Sequence, residues 1–223
     1  MTRAQVGLIA AILVSGNMAA AEDWQLDRHE DGIKVYTRKI EDLKHREFKG
    51  VVELETSMAS AVGLLDDTEA CQDWLHMCQE SRVLEQKNFS ERYIYQVTDL
   101  PFPASTRDAV FRAVISQSTS RDIRIDLTSR PEFIPETRYV RIHDSYGSYL
   151  LEKLEDNGIR LTWTMYVDPA GSLPAFLVNR LLTDTPFESL RNFREVVQRD
   201  KYQMLMFEYD EHNKAVDLKN RSW

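Results

Sequence analysis

The chain is poor in the residues that mark specialised or reactive architectures. Its 223 residues include only two cysteines, eight glycines and seven prolines. That composition excludes collagen-like, cysteine-scaffold and low-complexity proteins. Positive charge is also in deficit: 28 Lys and Arg stand against 36 Asp and Glu, a formal net charge of −8. An acidic chain without a basic cluster lacks the phosphate-neutralising surface that nucleic-acid binding needs. Net charge would not hold it on anionic lipid either. No apolar run approaches the roughly 20 residues that span a bilayer as a helix. The five histidines, His29, His45, His76, His143 and His212, show no metal-ligand spacing. GxSxG, P-loop and GxGxxG motifs are absent, so neither a cofactor nor a metal is expected.

The longest uncharged apolar run is Val6–Val14. Arg3 precedes it and the small residues Ala19–Ala21 follow, the pattern of a cleaved secretory leader. Residues 1–21 are therefore expected to be removed, leaving a soluble exported chain; in a two-membrane bacterium that means the periplasm. Loss of Arg3 with the leader takes the formal charge from −8 to −9. The remaining length suits one domain. In an oxidising compartment a lone pair of cysteines usually bonds. Cys71 and Cys78 are seven residues apart, which on an unbroken helix is a rise of about 10.5 Å. A disulfide spans less than about 7 Å between Cα atoms, so a bond requires the helix to stop between them. Two buried thiols on a continuous helix are the alternative.

Period-2 alternation marks strands at Gly32–Arg38, Phe48–Glu55, Arg92–Leu100, Ala109–Gln117, Asp122–Thr128, Arg138–His143, Tyr149–Leu154 and Ile159–Val167. Ser145–Ser148 reads as a turn. Ser57 is placed to cap a helix carrying Met58, Ala61, Val62 and Leu65 at i, i+3, i+4 and i+7. After Asp168–Ser172 comes a long helical region with Ser172 as its expected cap. Pro186 interrupts it, and Thr185–Glu188 reads as a restart, giving one kinked helix or two end to end. Phe187, Leu190, Phe193 and Val197 form one apolar stripe. Residues 201–223 read as a tail, with a helical turn near Met204–Phe207 and a loose end. Asp66–Asp67 and Asp210–Glu211 read as solvated charge. Strands, helix, strands, helix is an α+β order with an antiparallel sheet.

One stretch is more specific. The strand ending Trp163–Asp168, then DPAGSLPAFLVNRLL, resembles the C-terminal signature of START (StAR-related lipid-transfer) domains. Trp74 followed by Glu80–Leu84, and Pro103–Asp108, resemble two upstream motifs of the same family, in the same order. The resemblance covers about Trp24 to Arg199, so the domain is set at residues 22–200. It implies a helix-grip fold, a curved antiparallel sheet wrapped around a long C-terminal helix and enclosing an apolar cavity. It implies binding, with possible transfer, of a lipid or other hydrophobic small molecule, transient membrane contact, and action as a monomer. The cavity wall is expected from Phe111, Ile125, Trp163, Met165, Phe187, Leu190 and Phe193, with Phe176 and Leu177 near the mouth. The family pattern also places an acid at Glu80 and an arginine partner where this chain has Ala113. Glu80 is then either exposed or paired with Arg107, Arg124 or Arg141, and these four are the candidate polar residues of the cavity. A different function class, a helix-grip cyclase or hydrolase on a hydrophobic substrate, needs a general acid or base inside that cavity. Tyr149, His143 and Glu80 are its candidates.

Overall fold

A computed structural model describes residues 24–155 and 158–220. The expected leader lies outside them. Nine strands follow one another in space across a single antiparallel sheet. They are β1 (Gln25–Glu30), β2 (Ile33–Lys39), β3 (Arg46–Leu54), β4 (Cys78–Asn88), β5 (Glu91–Thr98), β6 (Arg107–Ser116), β7 (Asp122–Ser129), β9 (Ser145–Lys153) and β10 (Ile159–Val167). The spatial order is β1-β2-β3-β10-β9-β7-β6-β5-β4. The short β8 (Val140–Arg141) adds a parallel pairing to the start of β6. The expected strand Arg138–His143 thus shrinks to two residues.

The central strands match their alternation. In β10, Ile159, Leu161, Trp163 and Met165 turn inward and are buried, while Arg160, Thr162 and Thr164 are half-buried on the outer face. Ser145–Ser148 proves to be the first part of β9, not a turn. Glycine is required at 147 because β9 lies close against β10, and a Cβ there would collide with the Thr164 carbonyl. The edge strand β4 was not expected. Only Cys78, Ser81 and Leu84 are even partly covered, and its register shifts three times. A strand with no buried face has no reason to alternate.

Three short helical elements join β3 to β4. Ser57 caps α1 (Met58–Asp66), its Oγ accepting the Ser60 N–H at 3.0 Å. A 3₁₀ turn leads to α2 (Cys71–Trp74). The helix ends there, and the Cys71–Cys78 disulfide closes the loop with Cα atoms 5.8 Å apart.

The long helix α3 (Ala175–Val196) seats on β2, β3 and α2. It runs unbroken through Pro186, so Thr185 caps nothing. Pro174, not Ser172, precedes it, and no side chain caps its start. Gly50 allows the close approach to β3: a Cβ there would stand 2.7 Å from Leu190 Cδ1 and 3.2 Å from Pro186 Cβ.

The tail is folded. After α4 (Asp200–Gln203), β11 (Leu205–Tyr209) pairs with β12 (Ala215–Asn220), and the hairpin lies against α1. The alternation of Leu205 and Phe207 belongs to a strand, not a helical turn. Asp210 organises the reversal by accepting the N–H groups of His212 and Lys214 at 2.9 and 2.8 Å. Asp66 and Asp67 are not simply solvated. Asp66 pairs with the buried Arg92. Asp67 accepts from Lys201 Nζ at 2.8 Å and Tyr202 Oη at 2.9 Å, tying α1 to α4.

Candidate functional site

The inner face of the sheet meets only half of α3. Pro186 through Val197 fills the space over β2 and β3 with Phe187, Leu190, Phe193 and Val197, all fully buried. The N-terminal half stands off from the sheet. Val178, Leu181, Leu182 and Thr185, at i, i+3, i+4 and i+7, face a cavity of about 170 Å³. The opposite wall alternates along the strands, as a pleated surface must. β6 contributes Arg107, Ala109 and Phe111, and β10 contributes Trp163, Met165 and Val167. Phe48, Leu127 and Tyr149 come from β3, β7 and β9, and Leu75 and His76 from the segment after α2. The lining is mostly apolar with a few polar groups, the composition of a small-molecule site.

An edge-to-face and stacked aromatic series crosses this wall. Phe48 meets Trp163 at 4.8 Å, Trp163 stacks on Tyr149 at 5.3 Å, Tyr149 meets Trp74 at 6.4 Å, and Trp74 meets Phe193 at 5.2 Å. The buried half of α3 is thus linked to the cavity floor. A smaller void of about 70 Å³ lies behind, sharing Leu75, Gln96, Phe111, Leu127 and Tyr149 with the first. Ile125 and the Arg92–Asp66 pair border only this inner void.

The polar groups of the larger cavity are His45, His76, Gln96, Thr98, Arg107 and Thr185. Burial lowers the pKa of His76 below its usual 6.5, against Glu188 and Asp184, which raise it. Burial pushes the Tyr149 phenol well above its ordinary value, so the hydroxyl stays protonated. Two polar atoms at the wall are buried with no hydrogen-bond partner, Trp163 Nε1 and His45 Nε2.

A family model described as START domain matches residues 8–202. The chain belongs to the START domain family. A solved structure titled as a STAR-related lipid transfer protein (fragment 25–204) from Xanthomonas axonopodis is 30% identical, with a TM-score of 0.73, covering 79% of this chain and 99% of that one. An uncharacterized protein of Pseudomonas aeruginosa is 29% identical over 194 residues, 86% of this chain and 95% of that one. The phosphatidylcholine transfer protein of Homo sapiens is 26% identical over 168 residues, 72% of this chain and 77% of its own. The START family binds lipids and other hydrophobic ligands, and its helix-grip fold is the one described above.

In this START domain the expected site residues divide. Phe111, Trp163 and Met165 line the larger cavity, and Phe111 and Ile125 the smaller. Phe187, Leu190 and Phe193 do not line it: they are core, because the stripe they form is the one that seats α3 on the sheet. Leu177 is buried away from the cavity, and Phe176 is 69% exposed. Of the polar candidates only Arg107 reaches the cavity. Glu80 is on the outer edge strand, paired with Arg82 at 3.3 Å. Arg124 is exposed and paired with Asp126 at 2.7 Å. Arg141 is buried, but on the other side of β6, where it grips Asp108. His143 is exposed, so the enzyme candidates do not converge: Tyr149 alone faces the cavity. The chain's 178/181/182/185 spacing was the available signal for the helix side of the wall. His45 and His76, on irregular segments, carried none.

Proposed function

We propose that this START domain takes up one lipid or similar hydrophobic molecule in the cavity beneath the first half of α3, and delivers it between membranes in the periplasm. The observation that carries this reading is the apolar cavity itself, left between a complete sheet and a helix that is seated over only half its length. Each buried CH₂ is worth about 0.8 kcal/mol, so a single acyl chain gains strongly from such shelter. The first half of α3 and the loop 168–174 form the cover that must move for entry.

Membrane contact is supported by two exposed phenyl groups near the same end. Phe102, in the loop between β5 and β6, is 96% exposed, and Phe176, at the start of α3, is 69% exposed. Arg107 joins the two loops that lead to them, donating to the carbonyls of Ser105, Pro169 and Ala170. Export is supported by the leader pattern of residues 1–21 and by the disulfide. Native mass spectrometry of protein purified from periplasmic extract, followed by lipid extraction, tests the whole reading. A stoichiometric lipid on a chain lacking the leader is expected. An empty chain that also refuses fluorescent lipids would overturn it.

A further inference from the structure

Among the described residues three arginines are buried: Arg92, Arg107 and Arg141, at 4%, 3% and 4% exposure. Two have their charge matched. Arg141 grips Asp108 through two bonds of 2.8 and 3.0 Å, and Arg92 pairs with Asp66. Arg107 makes no ion pair. It donates only to the backbone carbonyls of Ser105, Pro169 and Ala170. A guanidinium has five N–H donors, so two remain for another acceptor. A buried cation that lacks an anion is costly, and burial depresses this guanidinium. The contrast falls across one strand: Asp108 faces the outer cluster, and Arg107 faces the lipid cavity.

A second donor group reaches the same segment. His45 lines the cavity, its Nε2 is buried without a hydrogen bond, and it stands 3.6 Å from Asp168 Oδ1. That carboxylate already accepts the Ala170 N–H at 3.0 Å. Arg107 and His45 thus converge on Asp168–Ala170, at the loop end of the cavity. Farther along β10, the unpartnered indole N–H of Trp163 faces the same void. Four residues of strand, about 13 Å, separate Trp163 from Val167 at that end.

We propose that Arg107 and His45 form an anion-binding pole of the cavity, and that the ligand is an acidic amphiphile. Its phosphate or carboxylate sits against these two side chains. Its chain runs inward along β10, where the Trp163 N–H donates to an ester or carbonyl oxygen. This rests on the lipid-carrier reading and narrows it to ligands with an anionic head.

The test compares matched pairs. The protein is titrated with palmitoyl-oleoyl phosphatidic acid and palmitoyl-oleoyl glycerol, and with oleate and oleyl alcohol, following tryptophan fluorescence. Within at least one pair the acid should bind about tenfold tighter than its neutral twin, the worth of one charge-assisted hydrogen bond. Which pair shows it separates phosphate from carboxylate. R107Q should bring that ratio close to one, and R107K should retain part of it. A ratio near one in the unaltered protein overturns the proposal, as does a folded R107Q that keeps the preference; Arg107 is then only a loop fastener. If R107Q does not fold, the unaltered protein and R107K decide. Failure of all four lipids to bind overturns the carrier reading itself.

Discussion

The two halves of α3 have opposite surroundings. From Pro186 onward its apolar stripe is sealed against β2, β3 and α2, with Leu190 over Gly50 and Phe193 edge-on to Trp74. Before Pro186 the stripe of Val178, Leu181, Leu182 and Thr185 faces open volume. Both stripes have helical spacing and similar composition. What differs is whether the sheet comes close enough to fill the gap. The second half is an anchor that stabilises the fold; the first covers the cavity. Pro186 stands between them and leaves the Leu182 carbonyl without its intrahelical N–H.

The comparison is broken most severely by truncating the anchor. F193A should cost about 3–5 kcal/mol in urea unfolding, the penalty for a buried Phe replaced by Ala. Leu190→Arg should prevent folding altogether, so it does not probe the cavity. Removing the disulfide with C71S and C78S should cost about 2.5 kcal/mol, the chain-entropy value for an eight-residue loop. That loop carries Trp74 onto Phe193, and the His76 N–H donates to Ser189 Oγ of the anchor at 3.0 Å. L182W tests the cover. It should change stability by less than about 1 kcal/mol, since the ring enters empty space. Lipid binding, measured by fluorescence, should weaken at least about tenfold. An anchor-like loss of stability in L182W would erase the distinction between the halves.

Two smaller effects sharpen it. Serine at Phe102 and Phe176 should slow lipid delivery to vesicles severalfold while leaving equilibrium binding intact, because both rings are exposed. His76 should give the smallest effect. Its pKa is lowered in the folded state, so the unfolded chain binds more protons between the two values. Its contribution is full above about pH 6.5 and declines as pH falls toward the folded value. H76Q should flatten that part of the stability profile in denaturant titrations across pH 5–7.5.

The strands that are buried on one face could be read directly. β2, β3, β7 and β10 alternate because one face meets the core and the other lies toward water; β6 is buried on both faces over Arg107–Phe111, where Val110 joins a second small cluster with Tyr95 and Val97. β4 could not be read so, because a bulged edge strand buries almost nothing. The hairpin β11–β12 was misread because Leu205, Phe207 and Leu218 acquire a buried face only when they meet α1. The site shows the same split. Phe111, Trp163 and Met165 were legible from strand parity. Phe187, Leu190 and Phe193 were rightly recognised as inward-facing, yet placed on the wrong surface. Periodicity reports which side of a helix is apolar and not how far away its partner lies.

The sequence by itself therefore determined the α+β order, the capped α1 and the family; it left the linkage of Cys71 to Cys78 open, and the end of α2 at Trp74 settled it. The order, the cap and the family follow from local patterns and from motifs that occur in a fixed order. Only the tertiary structure decided where the void lies and which of the three buried arginines lacks an ion pair. Glu80, Arg107, Arg124 and Arg141 are equivalent in a list of charged residues. Packing sends two of them to solvent, gives one to Asp108, and leaves Arg107 facing the cavity. The free energy of a buried charge is set by neighbours distant in the chain, and those neighbours exist only once the sheet has closed around the helix.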